Sequence, residues 1–298
     1  EEMSGLGLGL GLGLGAHRIV DRYGNMPATF TVTSGDGTAY IRVKVSETTT
    51  VTPAGGTSIR IGTTGEFVTT PLTLAANTNQ NIYFSGAGSF TIPKRKLVTY
   101  LYLWNLAPSV ITCEITGMKL TYLYISSLGS SVITGDITGM KLTSLTLYNI
   151  GSSIIKGDIT GMELIFLSLY NIGSSVITGD ITGMKLTFLY LYNIGSSLTY
   201  GTNSLNITNN IGIQLLGSTV FATAAEYAQL IHDAATGTWS GAHSFVIESG
   251  TTANCPDWDT VKADVAVLLT KAAWTIIPSA WLSANGGTWP EDWDEYTE

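Results

Sequence analysis

The chain has 298 residues, of which 44% are hydrophobic and only 12% charged, and its formal net charge is -8. That composition supports a large core and excludes a charged, hydrophobe-poor disordered polymer, while the acid excess argues against a nucleic-acid partner. No apolar run approaches the roughly 20 residues of a membrane-spanning helix, and Cys113 and Cys255 match no metal-ligand spacing, leaving open whether they pair.

In chain order, residues 1–27 form a Gly-Leu-rich anchor and linker. From Gly5 to Gly15 glycine and leucine alternate strictly, so an extended segment would carry Leu6, Leu8, Leu10, Leu12 and Leu14 on one face. Glycine loses much conformational entropy on ordering, so this ribbon is expected to order only against copies of itself or other subunits; a flexible leader is the alternative. Beginning at Glu1 with no initiator methionine, the chain reads as processed or as preceded by a leader. His17 to Pro27 reads as a linker.

Residues 28–93 read as a small all-β, sandwich-like domain, with short alternating segments ATFTVTS, TAYIRVKVS, TTTVTPA, SIRIG, FVTTPLTLA, NIYFSG and SFTIP between turn residues. Gly35-Asp36-Gly37 reads as a turn, because a calcium loop needs more spaced oxygen ligands. Lys94-Arg95-Lys96 reads as a solvated junction.

Residues 94–215 carry the organising feature. ITGM recurs at Ile115, Ile137, Ile159 and Ile181, a 22-residue period that marks a solenoid. Each copy supplies a strand with inward leucines, such as Leu142, Leu145 and Leu147, and a second extended segment of the type V-I-T-G-D. The outward positions of the first strand vary between copies. One column reads Tyr100, Tyr122, Ser144, Phe166, Phe188; the next Tyr102, Tyr124, Thr146, Ser168, Tyr190; the third Trp104, Ser126, Tyr148, Tyr170, Tyr192. Stacked at about 4.8 Å per repeat, they predict a largely aromatic face, and such patches usually meet a partner; a ladder that only stabilises the sheet is the competing reading. Asp136, Asp158 and Asp180, with Glu114, form a further column, read as turn residues capping backbone donors in preference to a cation site.

Residues 216–278 read as an α/β cap over the open end of the solenoid. Thr223 and Glu226 form a capping box before Tyr227, Leu230, Ile231 and Ala234 at helical spacing. A strand is expected at Ser244 to Glu248, a helix opening at Asp259 with Val261, Val265, Leu268 and Leu269 on one face, and a strand at Trp274 to Ile277. The tail, 279–298, interleaves Trp281, Trp289, Trp293 and Tyr296 with acids and is expected to dock on the cap or on a neighbouring subunit. His17, His232 and His243 have no ligand spacing, no nucleophile elbow or phosphate loop is present, and no acidic pair stands out for glycoside hydrolysis. The chain thus reads as no enzyme, with no cofactor or metal.

The segment LTSLTLYNI is similar to the L-x-x-L-x-L-x-x-N signature of leucine-rich repeats, and I-T-G-D-I resembles the second strand of the plant-type subclass. Asn149, Asn171 and Asn193 stand one place early for that consensus; the resemblance implies a ladder to the backbone along the turn. The AAEYAQLI and KAAWTI module and the NQNIYFSGAGSFTIPK stretch resemble repeat-bearing surface and virion proteins of Bacteroidota and their phages. This implies a mainly β leucine-rich-repeat solenoid in a phage fibre or decoration protein, at the virion or extracellular surface, attaching to a host glycan or protein. A bacterial cell-surface adhesin is the alternative, and a polysaccharide-active enzyme a third class.

Overall fold

The computed structural model describes residues 23–194, 198–201, 213–216, 221, 223–237, 244–247, 255–271 and 274–276. The Gly-Leu segment with its five leucines, His17, His243 and the acidic aromatic tail lie outside the described residues.

Seven strands come first: β1 Ala28–Ser34, β2 Asp36–Val45, β3 Thr49–Ala54, β4 Ser58–Ile61, β5 Leu72–Leu74, β6 Gln80–Ser85 and β7 Gly88–Ile92. The expected FVTTPLTLA strand is shortened to Leu72–Leu74, with Val68 contributing only an isolated bridge to Ile59. Pro71 breaks that run, since it has no N–H to give a ladder.

The repeats then alternate between two walls. The first wall is built from β8 Val98–Trp104, β10 Tyr122–Ser126, β12 Ser144–Tyr148, β14 Phe166–Tyr170 and β16 Phe188–Tyr192; the second from β9 Val110–Glu114, β11 Val132–Asp136, β13 Ile154–Asp158, β15 Val176–Asp180 and β17 Leu198–Thr199. The chain winds as a β-solenoid of about four turns with a period near 22 residues. Three further strands, β18 Ile213–Leu216, β19 Ser244–Ile247 and β20 Trp274–Ile276, extend the first wall, and helices Ala224–Thr236 and Trp258–Lys271 accompany them.

Both walls continue into the N-terminal strands. Among the described residues the first sheet runs β20-β19-β18-β16-β14-β12-β10-β8-β2-β6-β4 and the second β17-β15-β13-β11-β9-β1-β7-β3-β5. The joints are antiparallel, β8 on β2 and β9 on β1. No break in pairing falls at residue 93, and one hydrophobic cluster reaches from Ala28 to Leu268. The N-terminal strands therefore cover the first turn of the solenoid, whose parallel edge would otherwise present unpaired backbone groups.

The two walls differ in register. In the first, Tyr100 faces Tyr122 and Phe166 faces Phe188, 22 residues apart, so equivalent positions stack. In the second, Cys113 faces Ile133 and Lys156 faces Val176, 20 residues apart, so the copies slide by two residues per turn from β9 to β15. Columns of like side chains directly opposite one another therefore form on the first wall and not on the second.

The inward side is a stack of aliphatic rungs, with Leu145, Leu147, Leu167, Leu169, Ile133, Ile155, Ile137 and Ile159 all fully buried. A line of buried serines runs among them. Ser131 Oγ accepts the Ile111 N–H at 3.0 Å, Ser153 Oγ that of Ile133 at 2.9 Å and Ser175 Oγ that of Ile155 at 2.8 Å. Each hydroxyl satisfies a backbone donor that would be costly to bury unpaired.

Among the described residues of 216–278 the expected helices and strands are present, and the Leu269 side chain lies outside the described residues. Thr223 and Glu226 form the reciprocal capping box, and Tyr227, Leu230, Ile231 and Ala234 are buried. Val261, Val265 and Leu268 are buried in the second helix, which starts one residue earlier than the sequence suggests. The two helices pack on each other, and His232 Nδ1 lies 3.0 Å from Asp264 Oδ2 between them.

Candidate functional site: the aromatic face

The outward side of the first wall presents the three columns in register across β8, β10, β12, β14 and β16. Leucine alternation fixes this geometry: with every second residue buried, the intervening residues face out. Tyr100 stacks on Tyr122 with centroids 4.3 Å apart, and Tyr102 on Tyr124 at 4.5 Å. Phe166 stacks on Phe188 at 4.3 Å, and Tyr170 lies between Tyr148 at 4.3 Å and Tyr192 at 4.5 Å. Tyr190 joins from the neighbouring column, 5.8 Å from Tyr170. Trp104 stands at the margin and is 47% exposed.

Because the rings lie face to face with one another, a ligand meets mainly their edges and phenol hydroxyls. Burial pushes the Tyr122 phenol up to about 12, with the neighbouring Tyr100 adding to the shift, and Tyr102 moves in the same direction, also chiefly by desolvation. These phenols are thus neutral near pH 7 and can donate hydrogen bonds.

Small hydroxyl residues interrupt each column. Ser144 breaks the first, Thr146 and Ser168 the second, Ser126 the third. Thr146, Ser168 and Ser126 are only 7%, 5% and 3% exposed although they point outward. The large rings around them close over the gaps, so the face is continuous rather than pitted.

The same face continues onto the antiparallel strands. Lys44 pairs with Tyr100 and Arg42 with Tyr102, and Tyr40 pairs with Tyr83 on β6. The Arg42 guanidinium lies 5.4 Å from the Tyr102 ring centre and 5.8 Å from that of Tyr40, and its Nε donates to Asn81 Oδ1 at 2.7 Å. On β4, Arg60 lies 4.8 Å from both the Phe67 and Tyr83 ring centres. Reading 28–93 apart from the repeats missed these residues. The signal was present in AYIRVKV, which sets Tyr40, Arg42 and Lys44 opposite the buried Ile41, Val43 and Val45.

Other expectations change. Asn149, Asn171 and Asn193 do not bond backbone through their side chains as a leucine-rich-repeat ladder would. They take left-handed turn conformations and bond each other, Asn171 Nδ2 to Asn149 Oδ1 at 3.1 Å and Asn193 Nδ2 to Asn171 Oδ1 at 3.2 Å. Asparagine tolerates that conformation, which explains its place there; the buried polar line is the serine series instead.

The carboxylates of Asp136, Asp158 and Asp180 do cap backbone donors, accepting the N–H of Thr138, Thr160 and Thr182 at 2.8–2.9 Å. Bonds from the Thr160 side chain and backbone hold the Asp158 carboxyl below its ordinary range. Asp136 pairs with Lys156 across the ladder, so the two-residue slide replaces the expected carboxylate column. Asp36 likewise closes its turn by accepting the Thr38 N–H at 2.9 Å.

Arg95 is not solvated. Its side chain is ion-paired with Glu114 and donates to the Pro27 and Thr116 carbonyls at 3.0 Å. It borders a shallow cavity of roughly 310 Å³ on the second wall, with Thr31, Thr112 and Cys113 also lining it. Burial pushes the Cys113 thiol up to about 12, so it keeps its proton near pH 7, and it forms no disulfide with Cys255. Among the described residues no three His, Cys, Asp or Glu side chains gather as a metal site, and no helix is long and apolar enough to cross a membrane.

In comparisons with known proteins, no family model, curated protein or solved structure matches the chain.

Proposed function

We propose that the protein is a non-catalytic adhesion protein that uses the aromatic face of the first wall to attach to a surface glycan. The observation that carries this reading is the column register: five parallel strands align eleven aromatic residues on one outward surface. Tyrosine combines apolar area, few rotors and a hydroxyl, which suits contact with a polyhydroxylated chain. The resemblance of LTSLTLYNI to leucine-rich repeats, and that of the flanking segments to Bacteroidota and phage surface proteins, support a virion fibre or decoration protein at an extracellular surface. The Gly-Leu segment would then join it to other subunits.

Substituting Tyr148→Ser, Tyr170→Ser and Tyr192→Ser together tests the reading. The triple variant removes three stacked contacts, Tyr148–Tyr170, Tyr170–Tyr192 and Tyr170–Tyr190, each worth about 0.5–1.5 kcal/mol, so it should melt lower but remain folded, by circular dichroism, because the buried leucines are untouched. Its attachment to cells or glycan should be lost. Attachment equal to that of the parent would leave the ladder a purely stabilising device.

A further inference from the structure

We infer that the ligand of this face is an anionic polysaccharide, lying along the solenoid axis with some of its acidic groups on the cations at the N-terminal end. The inference rests on the adhesion reading above and adds the charge of the ligand. Eight strands, β4, β6, β2, β8, β10, β12, β14 and β16, form one continuous outward surface, about 34 Å long at roughly 4.8 Å per strand. Between Tyr40 and Val45 on β2, and throughout the other seven strands, these segments contain no Asp or Glu. Three cations, Lys44, Arg42 and Arg60, face outward at one end, in a protein whose overall charge is -8.

Among the described residues none of the three is in an ion pair; the pairs formed are Arg95 with Glu114, His232 with Asp264 and Lys262 with Asp259. The arginines are held in place without being neutralised. Arg42 is fixed by Asn81 and two rings, and Arg60 lies close to Phe67 and Tyr83, with its Nε buried and lacking a hydrogen-bond partner. A guanidinium oriented by aromatic rings is pre-organised for bidentate contact with a carboxylate or sulfate. Further along, the phenol hydroxyls of Tyr102, Tyr124, Tyr148, Tyr170 and Tyr192 offer donors at strand spacing to the hydroxyls of the same chain. A nucleic acid, the other common polyanion, is disfavoured because the rings stack on one another and leave little face for bases.

The test is co-sedimentation of the full chain with alginate and with chondroitin sulfate, alginate compared with its carboxyl-reduced form and chondroitin sulfate with a form both carboxyl-reduced and desulfated, at low and high salt. The parent should bind the charged polymers about tenfold or more tightly than their neutral forms, with the difference shrinking in salt. The Arg42→Gln, Arg60→Gln double variant should lose that difference while keeping the residual binding shared with the neutral polymers. The tyrosine triple variant should lose both. Equal binding of charged and neutral polymers would overturn the anionic assignment and leave the adhesion reading standing. Binding to none of them, or a self-association that the triple variant dissolves, would overturn both, the latter by placing a second copy of the chain on the face.

Discussion

Gly157→Ala is expected to destabilise the protein by about 4 kcal/mol, from backbone strain and overpacking of about 1–3 kcal/mol each. Gly157 has φ +157°, in the region L side chains rarely adopt, and an added Cβ would stand 2.6 Å from Ile137 Cγ1 and 2.9 Å from the Thr138 nitrogen. Neither neighbour can retreat freely. Ile137 N donates to Lys156 O at 2.9 Å, and Asp158 N donates to Thr138 Oγ1 at 3.1 Å, so moving one strand away breaks the bonds that join the two turns. Gly161 is the internal comparison: it has φ +74° but nothing within 4 Å of the place a methyl group would occupy, so Gly161→Ala should cost only the conformational part, about 1–2 kcal/mol. Urea unfolding of both variants separates the two costs, and equal losses would show that close approach of the turns is not what requires glycine at 157.

Leu167→Ala should cost about 2–5 kcal/mol. Leu167 is fully buried on the interior strand β14, and it lies in register between Leu145 and Leu189. In a solenoid each rung touches only the rungs beside it, so the cavity has few directions in which to collapse, and the loss should be concentrated locally. Amide hydrogen exchange should show faster exchange in β12, β14 and β16 than in β1, β2 and β7, which lie several strands away. A uniform change along the whole chain would mean that the core responds as one cooperative block.

The solenoid and its aromatic columns were legible because one physical rule governs both. A repeat of constant length, with leucine at alternate positions, must bury the leucines and stack the intervening residues wherever the turns align residue for residue. The second strand of each copy was legible in V-I-T-G-D, but the register of the second wall was not, for a related reason. Its two-residue slide depends on how the corners pack, which the repeat length does not specify, and that slide separates Asp136 from Asp158 and Asp180. Asn149 was readable as a turn residue but not as the partner of Asn171, since the side chain bonds its own copy in the next turn. Ser153 could have been found: it recurs with the period just as the leucines do, and a polar position copied that faithfully beside buried residues calls for a buried backbone donor. Arg42 and Arg60 escaped because a change of sequence pattern near residue 93 suggested a boundary, whereas strand pairing carries both sheets across it.

Whether the face is a binding surface or only a brace is also a matter of what the rings do when a partner is present. A brace is equally accessible with and without ligand; a binding surface is covered by it. The most direct test is tyrosine iodination of the intact chain, free and sedimented with alginate, with modified positions mapped by peptide mass. If the face binds, Tyr102, Tyr148, Tyr170 and Tyr192 are protected in the bound state, with Tyr23, which lies outside the face, unchanged. Bound protein whose ladder tyrosines iodinate as fast as in the free chain would contradict binding through the face.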